Sequence, residues 1–154
     1  MTLTTTAKFL ALVLTALALV PSGAHFFALP NKIGLPEADY LTVQAIYRGW
    51  DLFGIVLVGA IGANLFLALR LRRVGGADWY ASGAFLLVLA TLAIFFVWVY
   101  PANEATANWE TAPERWRELR MHWEVGHAVN AVLTFLAFCM VSLACIRTGP
   151  RREE

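Results

Sequence analysis

The sequence has few charged residues. Asp, Glu, Lys and Arg make up 15% of its 154 residues, whereas hydrophobic residues make up 59%, and an ordinary soluble domain has about 25% charged residues. The net charge is only +1, and no basic stripe with interleaved aromatics is present, so we expect no nucleic-acid partner. The composition therefore predicts an integral membrane protein.

Cysteine is also scarce, since Cys139 and Cys145 are the only two. On one helix a spacing of six residues separates them by roughly 9 Å along the axis, which is too far for a disulfide. No C-x-x-C motif occurs, and the four-helix quinone-linked thiol oxidoreductases need such a redox-active pair. That class of enzyme is excluded, and we predict that both cysteines are buried thiols.

Four apolar runs are long enough to cross a bilayer. They predict an all-α fold, a four-helix transmembrane bundle in one integral membrane domain, 1–154, with spans at about 7–29, 50–69, 79–100 and 125–146 and outer loops at 30–49 and 101–124. Polar residues recur at helical spacing before spans two and four, which predicts extracytoplasmic helical extensions of both. Pro101 is expected to end span three. Residues 1–24 imitate a signal peptide, but the apolar run resumes after them, so we expect span one to be retained.

The basic residues predict the orientation in the membrane. Most of the 12 lysines and arginines fall on the side of the two termini, namely Lys8, Arg70, Arg72, Arg73, Arg147, Arg151 and Arg152. The positive-inside rule then places both termini in the cytoplasm, and we expect a bacterial inner membrane. In this topology His25, Asp51, Asn103, Glu124 and His127 all lie at the outer end of the bundle.

Charged side chains continue into the last apolar run. Arg117, Arg120, Glu124 and His127 share one helical stripe. Ionisable groups inside a membrane are costly unless they face partners or water, so this stripe predicts the wall of an internal site. His122 lies five residues before His127, roughly 140° away around the helix at ~100° per residue. Only His127 is therefore expected to face the site.

Glu124 and His127 form an E-x-x-H pair that faces His25 on another span. Such a pair is one way of building an iron, copper or zinc site in a bundle, and His25 with His127 is also a candidate pair of haem ligands. Only one E-x-x-H occurs, whereas metal bundles repeat it, and C-x-x-C-H is lacking. We therefore favour a site without metal or haem. In a purely structural alternative, Glu124 pairs with Arg117 or Arg120 and His127 forms a hydrogen bond within the bundle.

Further polar and aromatic side chains are predicted at the same end of the bundle. Trp123 is a candidate wall for an aromatic ligand, although most tryptophans in this sequence are expected to anchor the helices at the membrane interface. Arg48 and Asp51 are spaced to pair at i, i+3. The candidate substrate-binding residues are Asn103, Arg117, Arg120, Trp123, Trp109, Arg48 and Asp51.

Several motifs resemble those of a known family. The stretch from Pro101 to Thr134, with P-x-N and then W-x-x-L-R-x-x-W-E-x-G-H, is similar to the anthrone oxygenase-like family of small four-span membrane proteins. His25 late in span one and the I-Y-R-G-W-D entry to span two match it as well. A few fungal relatives oxidise anthrones to anthraquinones with molecular oxygen, and most bacterial members are uncharacterised. The resemblance implies an oxygenase and a site that contains His25, Asn103, Trp109, Arg117, Trp123, Glu124 and His127.

The sequence thus predicts a membrane oxidoreductase or oxygenase that acts on a small apolar or phenolic compound. In this hypothesis His127 is the general base, Glu124 orients its imidazole, and His25, Asn103 or Arg117 holds the developing oxyanion. The alternative is a non-enzymatic membrane protein that binds lipid or a small molecule, or a subunit of a larger membrane complex. The expected partners are the lipid bilayer and a small apolar ligand, and homo-oligomerisation is left open.

Overall fold

Long helices form the body of the protein. The structure, a computed structural model, describes residues 2–74 and 78–147. No β-strand occurs within these ranges, and the all-α prediction is confirmed. Short 3-10 segments join the second helix to the third, and a π-helical turn at Phe95–Val99 joins the fourth to the fifth. The α-helices are α1 (Leu3–Lys32), α2 (Glu37–Gln44), α3 (Phe53–Val74), α4 (Asp78–Ile94), α5 (Tyr100–Ala105) and α6 (Trp116–Arg147).

The predicted four-span architecture is confirmed. Four helical stretches are long and apolar enough to cross a bilayer, so the protein is an integral membrane protein. In the bundle α1 packs against α3 and α6, and α4 packs against the same two helices. Each long helix therefore has two neighbours in a closed ring. The stretches are Leu3–Lys32, Trp50–Val74, Asp78–Ala105 and Trp116–Arg147.

Small residues pack the bundle together. The main buried cluster is rich in alanine, including Ala11, Ala60, Ala84 and Ala137, all of which are fully buried. Small side chains allow helix backbones to approach closely in a membrane, where packing drives helix association. Large apolar side chains such as Phe27 instead face outward, with 78% of that residue exposed. This distribution suits a bundle that lipid surrounds.

Two of the spans extend beyond the ends that the sequence predicts. Helix α1 continues through Pro30 to Lys32, because a proline near a helix end removes few backbone hydrogen bonds. The third span continues through Pro101 to Ala105. Pro101 lies in the first turn of α5, just after the π-helical turn, where its missing N–H is not needed.

The outer extension of span two is not one continuous helix. Gly49 has a φ of +84° and lies between two 3-10 segments, Ala45–Tyr47 and Trp50–Leu52. A residue with positive φ interrupts a right-handed helix, and glycine adopts this conformation without steric cost. Helices α2 and α3 are therefore separate. Their placement on the extracytoplasmic side, like that of the start of α6, stays a prediction.

A second buried cluster covers one end of the bundle. It consists mainly of aromatic side chains and is called the aromatic cap below. The connection from α5 to α6 reaches it through three consecutive residues with positive φ, Ala107, Asn108 and Trp109. The backbone N–H of Trp109 donates to Oγ1 of Thr106 at 3.0 Å, which fixes this turn. The cap comprises Tyr40, Val99, Ala102, Trp109, Trp116 and Trp123.

Candidate functional site

Two histidines from different spans meet beneath the aromatic cap. The rings of His25 on α1 and His127 on α6 stack with centroids 4.0 Å apart and an angle of 26° between their planes. His25 is 5% exposed. His122 is exposed on the surface of α6, as the helix geometry predicts.

Three aromatic side chains surround the stacked imidazoles. The ring centroid of His25 lies 4.2 Å from that of Tyr47, 5.5 Å from Trp50 and 4.9 Å from Trp123. Trp123 also contacts His127, with centroids 4.2 Å apart. We call these five side chains the imidazole box. It places two imidazoles among flat apolar faces, which is the kind of surface that an aromatic ligand stacks against.

Asn103 fixes the central wall of the box. The indole N–H of Trp123 donates to Oδ1 of Asn103 at 2.8 Å. A buried indole N–H usually needs such a partner. Asn103 therefore contributes to the site by orienting Trp123.

A buried ion pair borders the imidazole box. Nζ of Lys32 at the end of α1 lies 3.1 Å from Oε1 of Glu124 on α6, and the two side chains are 2% and 0% exposed. The same ammonium group lies 4.6 Å from the ring centroid of Tyr47 and 4.8 Å from that of Trp123. The ion pair and the imidazoles thus share two aromatic walls.

Helix α2 holds the carboxylate of this pair. The hydroxyl of Tyr40 donates to Oε1 of Glu124 at 3.0 Å, and the side-chain amide of Gln44 donates to the hydroxyl of Tyr40. Oε2 of Glu124 is buried and has no hydrogen-bond partner among the described residues. Glu124 is therefore held through one oxygen while the other is unpartnered.

The electrostatics keep the neighbouring tyrosines protonated. Burial, together with the charge of Glu124 and the hydrogen bond to it, raises the pKa of Tyr40 above its ordinary value of 10.0. Burial and the charge of Glu124 also raise the pKa of Tyr47. Because a protonated phenol is a donor, Tyr40 stabilises the carboxylate form of Glu124.

The structure brings together five of the predicted site residues: His25, Asn103, Trp123, Glu124 and His127. The partners of Glu124 differ from those expected. The described residues show no ion pair from Glu124 to either predicted arginine and no hydrogen bond to the imidazole of His127, because Lys32 and Tyr40 occupy Oε1. Glu124 consequently does not orient His127 in the way the sequence suggested.

Two further predicted residues lie in or against the aromatic cap, namely Trp109, which belongs to it, and Arg120, which contacts it. Trp109 packs against Tyr40 with ring centroids 5.1 Å apart. A guanidinium N–H of Arg120 donates to the carbonyl oxygen of Leu35 at 2.8 Å, and the group lies 4.7 Å from the ring centroid of Trp116. Both residues hold the cap above the imidazole box.

Three predicted residues lie at the surface, outside the box. Arg117 is exposed, and its guanidinium lies over the ring of Trp116 at 5.4 Å. Arg48 pairs with Glu110 at 3.8 Å, and both side chains are largely exposed. No ion pair between Arg48 and Asp51 occurs in the described residues, and Asp51 is exposed.

Sequence reasoning missed Lys32, and it assigned no role to Tyr40, Gln44 or Tyr47. The last three recur at a helical spacing that indicated a polar face. The expected outer loop at 30–49 includes Lys32, because the apolar run predicts that span one ends at about residue 29. The available signal was its spacing of seven residues from His25, about two helical turns, which puts both side chains on the same face of a continuous helix.

Metal binding has no further support in the geometry. Within residues 2–74 and 78–147, no group of three or more His, Cys, Asp or Glu side chains is placed to hold a metal ion. A haem between His25 and His127 would require ring nitrogens pointing at iron from opposite sides, whereas these rings lie face to face. A site without metal or haem stays a prediction.

Comparison with known proteins identifies the family. The family model described as anthrone oxygenase matches residues 43–140, well over half of the 154 residues. The matched region includes Tyr47, Asn103, Trp123, Glu124 and His127 but begins after α1 and most of α2. No curated protein and no solved structure matches the chain. The protein therefore belongs to the anthrone oxygenase family.

Proposed function

We propose that this protein is a membrane-embedded oxygenase that converts a small aromatic ketone of the anthrone type to the quinone with molecular oxygen. Family membership supports the reaction type. The observation that carries the proposal is the stacked pair His25 and His127 inside aromatic walls, next to a buried ion pair. Ionisable groups within a membrane bundle are costly and mark functional sites by default.

The proposed reaction starts with removal of a proton. A methylene group conjugated with the ketone loses a proton to a base, and the electron pair moves to the carbonyl oxygen, which becomes an oxyanion. The carbon then transfers electrons to O₂ and forms a carbon–oxygen bond. Loss of water from the resulting hydroperoxide gives the new carbonyl, so that CH₂ and O₂ become C=O and H₂O. No external reductant is needed.

His127 is the proposed base. A neutral imidazole is the side chain best suited to accept a proton near pH 7. The described residues form no hydrogen bond to its ring nitrogens. His25 stacks on one face of this ring and Trp123 packs against it, so together they fix its orientation. In this scheme His25 and Trp123 position the base, a role that the sequence analysis gave to Glu124.

The proposed setting is a bacterial inner membrane with both termini in the cytoplasm. An apolar substrate dissolves in the bilayer, which delivers it to a site within the bundle. The lipid bilayer and this small apolar compound are the proposed partners. Neither the delivery of the substrate through the bilayer nor the proposed reaction requires a second copy of the chain.

The proposal is tested with anthrone as the probe. Protein in lipid nanodiscs is incubated with anthrone under air, and both quinone absorbance and oxygen consumption are recorded. We expect equal amounts of quinone formed and oxygen consumed, and no quinone under nitrogen. His127→Ala should lower the rate by about 10²-fold or more, the usual contribution of a general base.

His122→Ala is the matched control, because His122 is an exposed histidine on the same helix. It should turn over anthrone like the wild type. Equal rates in wild type and His127→Ala would remove His127 as the base. Binding of anthrone without any oxygen-dependent turnover would instead favour a non-enzymatic membrane protein that binds small molecules.

A further inference from the structure

Lys32 is the one cation whose ammonium group reaches the imidazole box in the part of the chain that the structure describes. Its Nζ contacts the faces of Tyr47 and Trp123, the same two rings that pack against His25. Arg120 is directed at the carbonyl oxygen of Leu35 in the cap. The other cations of this end, Arg48, Arg115 and Arg117, are exposed.

The ion pair of Lys32 and Glu124 has hydrogen-bond donors and one acceptor oxygen without partners among the described residues. An ammonium group has three N–H donors, and Glu124 is the one anionic partner of Lys32 in the described residues. Beyond the 3.1 Å contact with Oε1 of Glu124, no acceptor of Nζ occurs there, and Oε2 of Glu124 has no donor. Burying two charges is costly, and the remaining donors are usually satisfied when a pair serves only the fold. A ligand oxygen would satisfy them here.

A network fixes the anion of the pair more firmly than the cation. Glu124 accepts from Tyr40, which in turn accepts from Gln44. Lys32 has only its long flexible side chain and two aromatic faces. The carboxylate is therefore the fixed counter-ion, and the ammonium group is the member that turns toward a new partner at little cost.

We propose that Lys32 binds the oxyanion of the substrate and that Glu124 serves as its counter-ion. This inference rests on the proposed function, because the oxyanion is the one that forms when His127 removes the proton. An ammonium group already in place beside a developing negative charge stabilises it strongly where water is excluded. Lys32 takes the role for which the sequence suggested His25, Asn103 or Arg117.

The proposal includes residues that the family match does not cover. The matched region begins at residue 43, whereas Lys32 lies at the end of α1 and Tyr40 in α2. Helix α1 thus supplies the oxyanion-binding residue, and α6 supplies the base and the counter-ion.

The test uses 2-hydroxyanthraquinone, an apolar ring system with one phenol and no reactive methylene. Its phenolate absorbs at longer wavelength than its phenol, so absorbance against pH gives the pKa of the bound phenol without any turnover. Wild-type protein in nanodiscs should lower this pKa by about one unit or more relative to the free probe, a tenfold preference for the anion. The double variant Lys32→Met with Glu124→Gln should abolish this shift and weaken phenolate binding about tenfold or more.

The double variant removes both charges together, so no unpaired charge is left in the bundle to prevent folding. Glu124→Gln alone removes only the counter-ion and should strengthen phenolate binding. Lys32→Arg keeps the cation and should retain part of the shift. Arg117→Gln removes an exposed cation of α6 and should behave as the wild type.

The outcomes separate this proposal from the proposed function. An unchanged shift in the double variant, or weaker phenolate binding by Glu124→Gln, would overturn the role of Lys32 even if the wild type oxidises anthrone. A wild type that neither binds the probe nor oxidises anthrone would overturn both proposals.

Discussion

At the scale of single residues, the pairing of Lys32 with Glu124 has the largest energetic consequences. Two charges that are 2% and 0% exposed have each lost most of their hydration. Their mutual attraction offsets this loss only while both are present, so removing one partner leaves an uncompensated buried charge.

We expect each single change, Lys32→Met or Glu124→Gln, to lower the free energy of unfolding by about 3 to 5 kcal/mol. The double variant should lose much less than the sum, because no unpaired charge remains. Thermal unfolding of the three variants in nanodiscs measures this coupling. The exposed pair Arg115 and Glu118, 3.0 Å apart on the surface, is the control and should show no measurable coupling. If the losses of unfolding free energy at Lys32 and Glu124 were additive, the two side chains would not be coupled as a buried ion pair.

Tyr40 makes the stability of the folded protein depend on pH in the alkaline range. Its pKa is raised in the folded protein by burial and by Glu124, so its contribution to stability is complete below the ordinary value near 10 and is lost as the pH rises above it. Between pH 10 and 11, wild type should lose about 1 kcal/mol more than Tyr40→Phe, given ~1.4 kcal/mol per pKa unit. Melting temperatures of the two proteins across this pH range test the difference. If the melting temperatures of wild type and Tyr40→Phe fell in parallel, the contribution of Tyr40 would be contradicted.

Some of the residues near the site could be predicted from the sequence and others could not, for a physical reason. His25, Glu124 and His127 could be predicted because ionisable groups are rare in apolar runs. Lys32 could not, because its charge lies just after a proline at the edge of a span, where a solvated lysine is equally common. The true partner of Glu124 depended on where α1 ends, which propensity alone does not determine.

At the scale of helices, the close contact of α6 with the π-helical turn positions the site. A Cβ added at Gly126 would lie 2.9 Å from Cγ2 of Val99 and 3.4 Å from Cβ of Trp98. The glycine of the W-E-x-G-H motif thus permits the approach that brings Glu124 and His127 beneath the cap. This explains in packing terms why a glycine stands between these two residues.

Gly126→Ala is expected to destabilise the bundle by about 1 to 3 kcal/mol through overpacking. It should also lower anthrone turnover, because α6 must move away from Val99. Thermal unfolding and turnover are measured on the same preparation. Gly54→Ala in α3 is the matched control, since nothing lies within 4 Å of its added Cβ. A Gly126→Ala variant as stable as this control would show that the contact is easily relaxed.

The helix pattern could be predicted from the sequence better than the helix ends. Four apolar runs fixed the number of spans, because each run must hydrogen-bond its own backbone within the bilayer. Pro30 and Pro101 were misleading because proline excludes a helix only where its N–H or its ring conflicts with a preceding turn. The interruption at Gly49 has a sequence signal, a glycine between two polar stretches, but that signal also occurs within continuous helices.

At the scale of the whole molecule, the two ends of the bundle differ in chemistry. One end holds the aromatic cap and the site. The other holds the start of α1, the end of α6 and a group of basic residues, and there Nε of Arg70 donates to Oγ1 of Thr4 at 3.3 Å. Because Lys32 is buried in an ion pair, the end with the site has one fewer exposed cation than a count of the sequence suggests. Arg151 and Arg152, which that count included, lie outside the described residues.

This asymmetry predicts the orientation of the chain, with the cap outside the cytoplasm. In a background that lacks Cys139 and Cys145, the exposed threonines Thr5 and Thr111 are changed singly to cysteine. A membrane-impermeant maleimide applied to intact bacterial spheroplasts should label Thr111→Cys at once and Thr5→Cys only after permeabilisation. The reverse pattern would invert the topology.

The ion pair also couples the assembly of the bundle to the insertion of α6. Lys32 ends α1, and Glu124 belongs to α6, which follows it in the chain. During insertion the ammonium group must therefore remain hydrated at the membrane surface, which its long side chain allows. Only when α6 enters the bilayer does the lysine find its carboxylate and withdraw from water. A chain without α6 in the bilayer would keep an unpaired charge at the end of α1, so the same contact that borders the site distinguishes an assembled bundle from an incompletely inserted one.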